Sequence, residues 1–94
     1  MKRNLLDREN SAALNGTFLL SDVTKGQTVR LVSIEAGKKL THRLNELGLT
    51  PGVELMLVHD SGGPLLLSVR GSRVAVGRGM ANKLHVKNVL GREL

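Results

Sequence analysis

Between Leu40 and Gly52 the chain changes period, stops and turns, and no other stretch limits the possible folds as strongly. Leu40, Leu44 and Leu47 recur at i, i+4 and i+7, which puts them on one stripe of a helix. Gly48 follows at the point where a helix end wants a left-handed residue, and Leu49 stands where a hydrophobic contact accompanies such an end. Thr50-Pro51-Gly52-Val53 then offers Pro and Gly at the two central positions of a type II turn. A short helix therefore empties directly into a strand, with Leu44 and Leu47 expected to hold it on the core. Arg43 flanks the leucine stripe, while His42, Asn45 and Glu46 face elsewhere.

On both sides of this helix the period is two. Thr28 to Ile34 is rich in β-branched residues and is entered through Lys25-Gly26-Gln27, where glycine is free to take positive φ. Val53 to His59 alternates, with Val53, Leu55 and Leu57 on one face and Glu54, Met56 and Val58 on the other. Asp60-Ser61-Gly62-Gly63 is a hairpin loop, and Pro64 leads into Leu65 to Arg70, where Leu65, Leu67 and Val69 face one way. A second tight connection at Gly71-Ser72 delivers Arg73 to Val76. Gly77 to Leu84 predicts one helical turn, and His85 to Val89 a last short strand. Five short strands joined mostly by hairpins predict a mainly β, small barrel that closes to protect its edges. Residues 1–18 show no sustained period and are expected to form a loosely ordered arm, residues 19–89 the barrel domain, and residues 90–94 a tail.

Ninety-four residues hold one modest core and no two-domain enzyme. The absence of cysteine removes disulfides, thiolate metal sites and cysteine nucleophiles. No apolar run approaches the ~20 residues that span a bilayer, and Asp7, Arg8 and Glu9 interrupt any signal-like start, so a cytoplasmic protein is expected. The formal charge of +6 lies wholly in residues 25–94, with eleven basic and five acidic groups. Such an excess fits an acidic partner and equally fits plain solubility. Phe18 is the sole aromatic, so the stacking platform that holds single-stranded nucleic acid is missing. Duplex binding through phosphates is left, without any basic run longer than Lys38-Lys39.

No set of residues spells catalysis. Ser33, Ser68 and Ser72 lack a nucleophile-elbow setting, and the acids are scattered. Gly77-Arg78-Gly79 imitates the opening of a dinucleotide fingerprint, but the third glycine is replaced by Asn82 and no βαβ unit follows. His42, His59 and His85 have no ligand spacing; Asp60 beside His59 is the one nearby acid, and such a loop pair is usually solvated. A tightly bound cofactor is not expected, and Fe²⁺ is not supported by ligand spacing. Surface is what remains: Met56, Val58 and Leu66 lie opposite the core stripes, rimmed by Arg70 and Arg73, as a patch suited to a protein partner. A register slip of one residue, or cover by the arm, would remove that patch.

The order of motifs is that of a known family. Gly26-Gln27-Thr28-Val29-Arg30-Leu31 is followed by Arg43-Leu44-Asn45-Glu46-Leu47-Gly48-Leu49-Thr50-Pro51-Gly52, then by Val53 to Val58, Arg70 to Val76 and Ala81 to Val86. Over about residues 19–88 this closely resembles the FeoA family of bacterial ferrous-iron uptake, with Arg-Leu-x-x-Leu-Gly-x-x-Pro-Gly its most specific part. The resemblance implies an SH3-like five-stranded barrel with a helix after the first strand, a fold shared with the C-terminal domain of iron-dependent repressors. It also implies an adaptor or regulator beside FeoB, a membrane transporter with a cytosolic G-domain. The expectation is a non-enzymatic binding module that contacts such a transporter, with Arg43 and the adjacent apolar surface as candidate contacts. The alternative is a small basic nucleic-acid-binding or iron-responsive regulatory domain. Two departures bear on loop contacts. The loop from Asp60 to Pro64 is glycine-rich, which predicts mobility, and Arg78-Gly79-Met80-Ala81 lacks the acids often found before that alanine.

Overall fold

The computed structural model describes residues 16–89, so the expected arm up to residue 15 and the tail from residue 90 lie outside the described residues. The elements, in chain order, are β1 (Phe18–Leu19), a 3-10 turn (Leu20–Asp22), β2 (Thr28–Ile34), α1 (Lys38–Glu46), β3 (Glu54–His59), β4 (Leu65–Val69), β5 (Ser72–Val76), α2 (Arg78–Ala81) and β6 (Leu84–Asn88). The strands form one antiparallel sheet in the order β1-β6-β2-β3-β4-β5, coiled around an aliphatic core.

Strand faces follow the sequence alternation. Val29 and Leu31 of β2, Leu55 and Leu57 of β3, Leu65, Leu67 and Val69 of β4, and Val74 and Val76 of β5 are all buried. Among the described residues no polar or charged one is buried. The type II turn into β3 forms as expected: Gly52 has φ +98° and the Val53 N–H donates to the Thr50 carbonyl at 3.0 Å. Thr24 to Gln27 repeats the device, with Gly26 at φ +88° and the Gln27 N–H donating to the Thr24 carbonyl at 3.0 Å.

The helix end is a Schellman motif. The Leu49 N–H donates to the Leu44 carbonyl at 3.0 Å, and the Gly48 N–H to the Asn45 carbonyl at 3.0 Å, with Gly48 at φ +96°. Leu44 and Leu49, 1% and 0% exposed, make the hydrophobic contact of that motif inside the core, and Leu40 packs partly buried against it.

Three expectations need correction. Leu47 does not hold the helix down; it is 47% exposed. The helix stops at Glu46, and beyond the left-handed step at Gly48 it is Leu49 that enters the core. There are six strands rather than five, because Phe18 and Leu19, the first of them assigned to the arm, pair with Val86 and His85. The second hairpin turns on Arg70-Gly71, not Gly71-Ser72: Val69 pairs with Ser72, and both loop residues have positive φ (50° and 83°), as a type I′ turn demands. No pairing joins β1 to β5 among the described residues, so the barrel is hydrogen-bonded as an open circuit whose end strands are β1 and β5.

Candidate functional site

The register of the sheet arranges the outward side chains of β3, β4 and β5 in rows. Thr28 pairs with Met56, Met56 with Ser68 and Ser68 with Arg73, so these four form one cross-strand row. A second row runs through Leu66 and Ala75. Between Leu57 and His59 the register shifts, so Val58 and His59 both oppose Leu66: a β-bulge that holds Val58 at the end of this row. A third row is charged. Arg30 pairs with Glu54, and their side chains meet at 2.9 Å from Nη2 to Oε2.

Five of the six candidate contact residues are thus carried by three adjacent strands and the hairpin between two of them. Met56, Val58 and Leu66 are half-buried; Arg70 and Arg73 are exposed. Arg70 occupies the left-handed region, φ 50°, at a turn position that usually takes Asn, Asp or Gly. A shallow depression of about 510 Å³ opens beside it, lined among others by Thr28, Gly52, Glu54, Met56, Ser68 and Arg70. Arg43 does not line this depression. It is exposed in the last turn of α1, four residues before the exposed Leu47, the spacing of helix-surface neighbours.

A contact invisible in the sequence crosses the end of the barrel. Arg78 forms an ion pair with Asp60, and its Nε–H donates to the Gly62 carbonyl at 3.3 Å. The Gly62 N–H donates in turn to Asp60 Oδ1 at 3.2 Å. This backbone bond, and after it the Arg78 hydrogen bond, hold the Asp60 carboxyl below the usual carboxylate range. The glycine-rich loop expected to be mobile is therefore tied to α2, and Asp60 is not merely solvated beside His59. Gly77-Arg78-Gly79 is a strand-to-helix turn whose arginine reaches this loop. Nothing local signals such a pair, since eighteen residues separate its members.

The histidines stay apart. His42 Nε2 lies 3.1 Å from Glu46 along α1, and His85 Nε2 lies 2.8 Å from Glu35. Among the described residues no three His, Asp or Glu side chains gather as a metal site would require. No helix of the described residues is long and apolar enough to cross a membrane.

A coiled antiparallel sheet of short strands, a helix inserted after β2 and a helical turn before the last strand define a small SH3-like domain. The FeoA domain model matches residues 18–88, and the chain belongs to the FeoA family. It is 33% identical over 71 residues to a candidate Fe(2+) transport protein A of Methanocaldococcus jannaschii, a match covering 76% of this chain and 87% of that one. A crystal structure of an iron uptake regulatory protein (FeoA) is 32% identical, with a TM-score of 0.72 over 76% of this chain and 96% of that one. The Stenotrophomonas maltophilia FeoA, solved with zinc, is 28% identical, with a TM-score of 0.67 over 74% of this chain and 89% of that one. That protein is described as a prokaryotic SH3 domain protein and suggested as a ferrous iron transport activating factor.

Proposed function

We propose that this protein is a non-enzymatic accessory of ferrous-iron transport that acts by binding the cytosolic part of a FeoB-type transporter. The outer face of β3–β5 is the surface we assign to that contact. One observation carries the assignment: the sheet register sets half-buried Met56, Val58 and Leu66 beside two exposed guanidinium groups, Arg70 and Arg73. Apolar side chains at the centre with arginines at the margin is the make-up of a protein-docking surface. Family membership and the iron-transport names of its relatives support the class of partner.

Calorimetric titration of the transporter's purified cytosolic domain into the full chain tests the reading. Binding at tens of micromolar or tighter is expected, with Arg73→Glu weakening it about tenfold or more, a loss of ~1.4 kcal/mol. Arg43→Glu, on the helix, weakens it less. No binding, or an Arg73→Glu protein that binds like the wild type, overturns the assignment.

A further inference from the structure

We propose that the outer edge of β5, unpaired among the described residues, is a strand-addition site for an extended acidic segment of a partner protein, an inference that rests on the docking reading above and specifies its mode. The register of the hairpin decides which backbone groups are available. Val69 and Ser72 flank a two-residue loop, so they form a hydrogen-bonded pair, and the ladder then alternates. Ser68–Arg73 and Leu66–Ala75 are the non-hydrogen-bonded pairs, so the N–H and C=O of Arg73 and of Ala75 point away from β4. β5 ends the sheet, and among the described residues nothing bonds to these four groups. Both residues are exposed.

Charge selects the occupant. β4 and β5 contain no acid; Arg70 and Arg73 stand exposed at the edge, and Asp60 in the preceding loop is engaged by Arg78. A second copy of this chain would set cationic β5 against cationic β5 on a molecule of formal charge +6. An acidic strand meets the opposite field. Its outward residues, two apart, would lie beside Arg73 and beside Ala75, whose cross-strand neighbour is Leu66. The pattern recognised is therefore a carboxylate and an apolar β-branched residue at i and i+2.

The test uses isotope-labelled full chain and two synthetic peptides, acetyl-Thr-Glu-Thr-Val-Thr-Glu-Thr-amide and its counterpart with Lys for Glu. Amide exchange at Arg73 and Ala75 is expected to be fast in the free protein and to slow about tenfold when the acidic peptide reaches ten times its dissociation constant. The lysine peptide leaves both amides fast. Ala75→Pro removes one outward donor without touching the β4 ladder and abolishes the protection. Arg73→Glu, should the proline variant fail to fold, reverses the peptide preference. Amides already protected in the free chain, protection that grows with protein concentration alone, or equal response to both peptides overturns the proposal. A transporter domain that binds wild type and Ala75→Pro equally refutes the edge and leaves the proposed function standing. A peptide that binds where the transporter domain does not refutes the function and leaves the edge.

Discussion

Leu44 and Leu47 look equivalent on a helical wheel, and the structure makes them unequal. Leu44 is 1% exposed and Leu47 is 47% exposed. Leu→Ala removes three carbons, so at about 0.8 kcal/mol per methylene the transfer loss at Leu44 is about 2.4 kcal/mol. The cavity left between the helix and the sheet adds to this, giving about 3–4 kcal/mol in all. At Leu47 roughly half of the transfer term applies and water fills the space, so the loss is about 1 kcal/mol or less. Urea titration followed by far-UV circular dichroism reads the two variants directly, through a change in midpoint at constant slope. Leu44→Ala is expected to lower the melting temperature by roughly 12–30 °C, and Leu47→Ala by a few degrees. Equal losses, or a larger one at Leu47, would mean that the helix is anchored by the full leucine stripe and that the Schellman geometry is wrong.

Three further outcomes are expected. Gly48→Ala places a Cβ at φ +96° with only an ordinary contact, 3.9 Å from Val69 Cγ1, so the loss of about 1–2 kcal/mol is conformational and appears in the same titration. Asp60, its folded-state pKa lowered by the Gly62 N–H and by Arg78, adds stability that is present above its unfolded pKa and disappears as pH falls through the folded value. In a carboxyl NMR titration Arg78→Ala raises the Asp60 pKa only part of the way back, because the larger cause is the backbone bond. His42 with Glu46 and His85 with Glu35 supply two side chains each, so anaerobic addition of Fe²⁺ is expected to leave the melting temperature unchanged; a rise with metal concentration would refute the two-ligand argument.

What the sequence made legible was local. Gly48, Pro51 and Gly52 carry backbone geometry in their own chemistry, and the helix end and the turn both lie where they indicate. Alternation placed Met56, Val58 and Leu66 on the outer face because the core sides of β3 and β4 are unbroken runs of Leu and Val. Leu47 departs from the leucine stripe because the helix ends one residue before it. The hairpin turn lies one residue earlier than its composition indicates, because arginine is not a residue that turn chemistry expects at positive φ. The two-residue β1 is too short to show a period, and the Arg78–Asp60 tie is made between distant segments. Both follow from tertiary packing that no local pattern records.

The proposed contact uses one sheet face, not the helix. Chemical-shift mapping of the labelled chain during titration with the transporter's cytosolic domain tests it most directly. The largest changes are expected at Met56, Leu66, Ser68, Arg70 and Arg73, with α1 quiet; changes confined to Arg43 and Leu47 on the helix, or none at all, would contradict it.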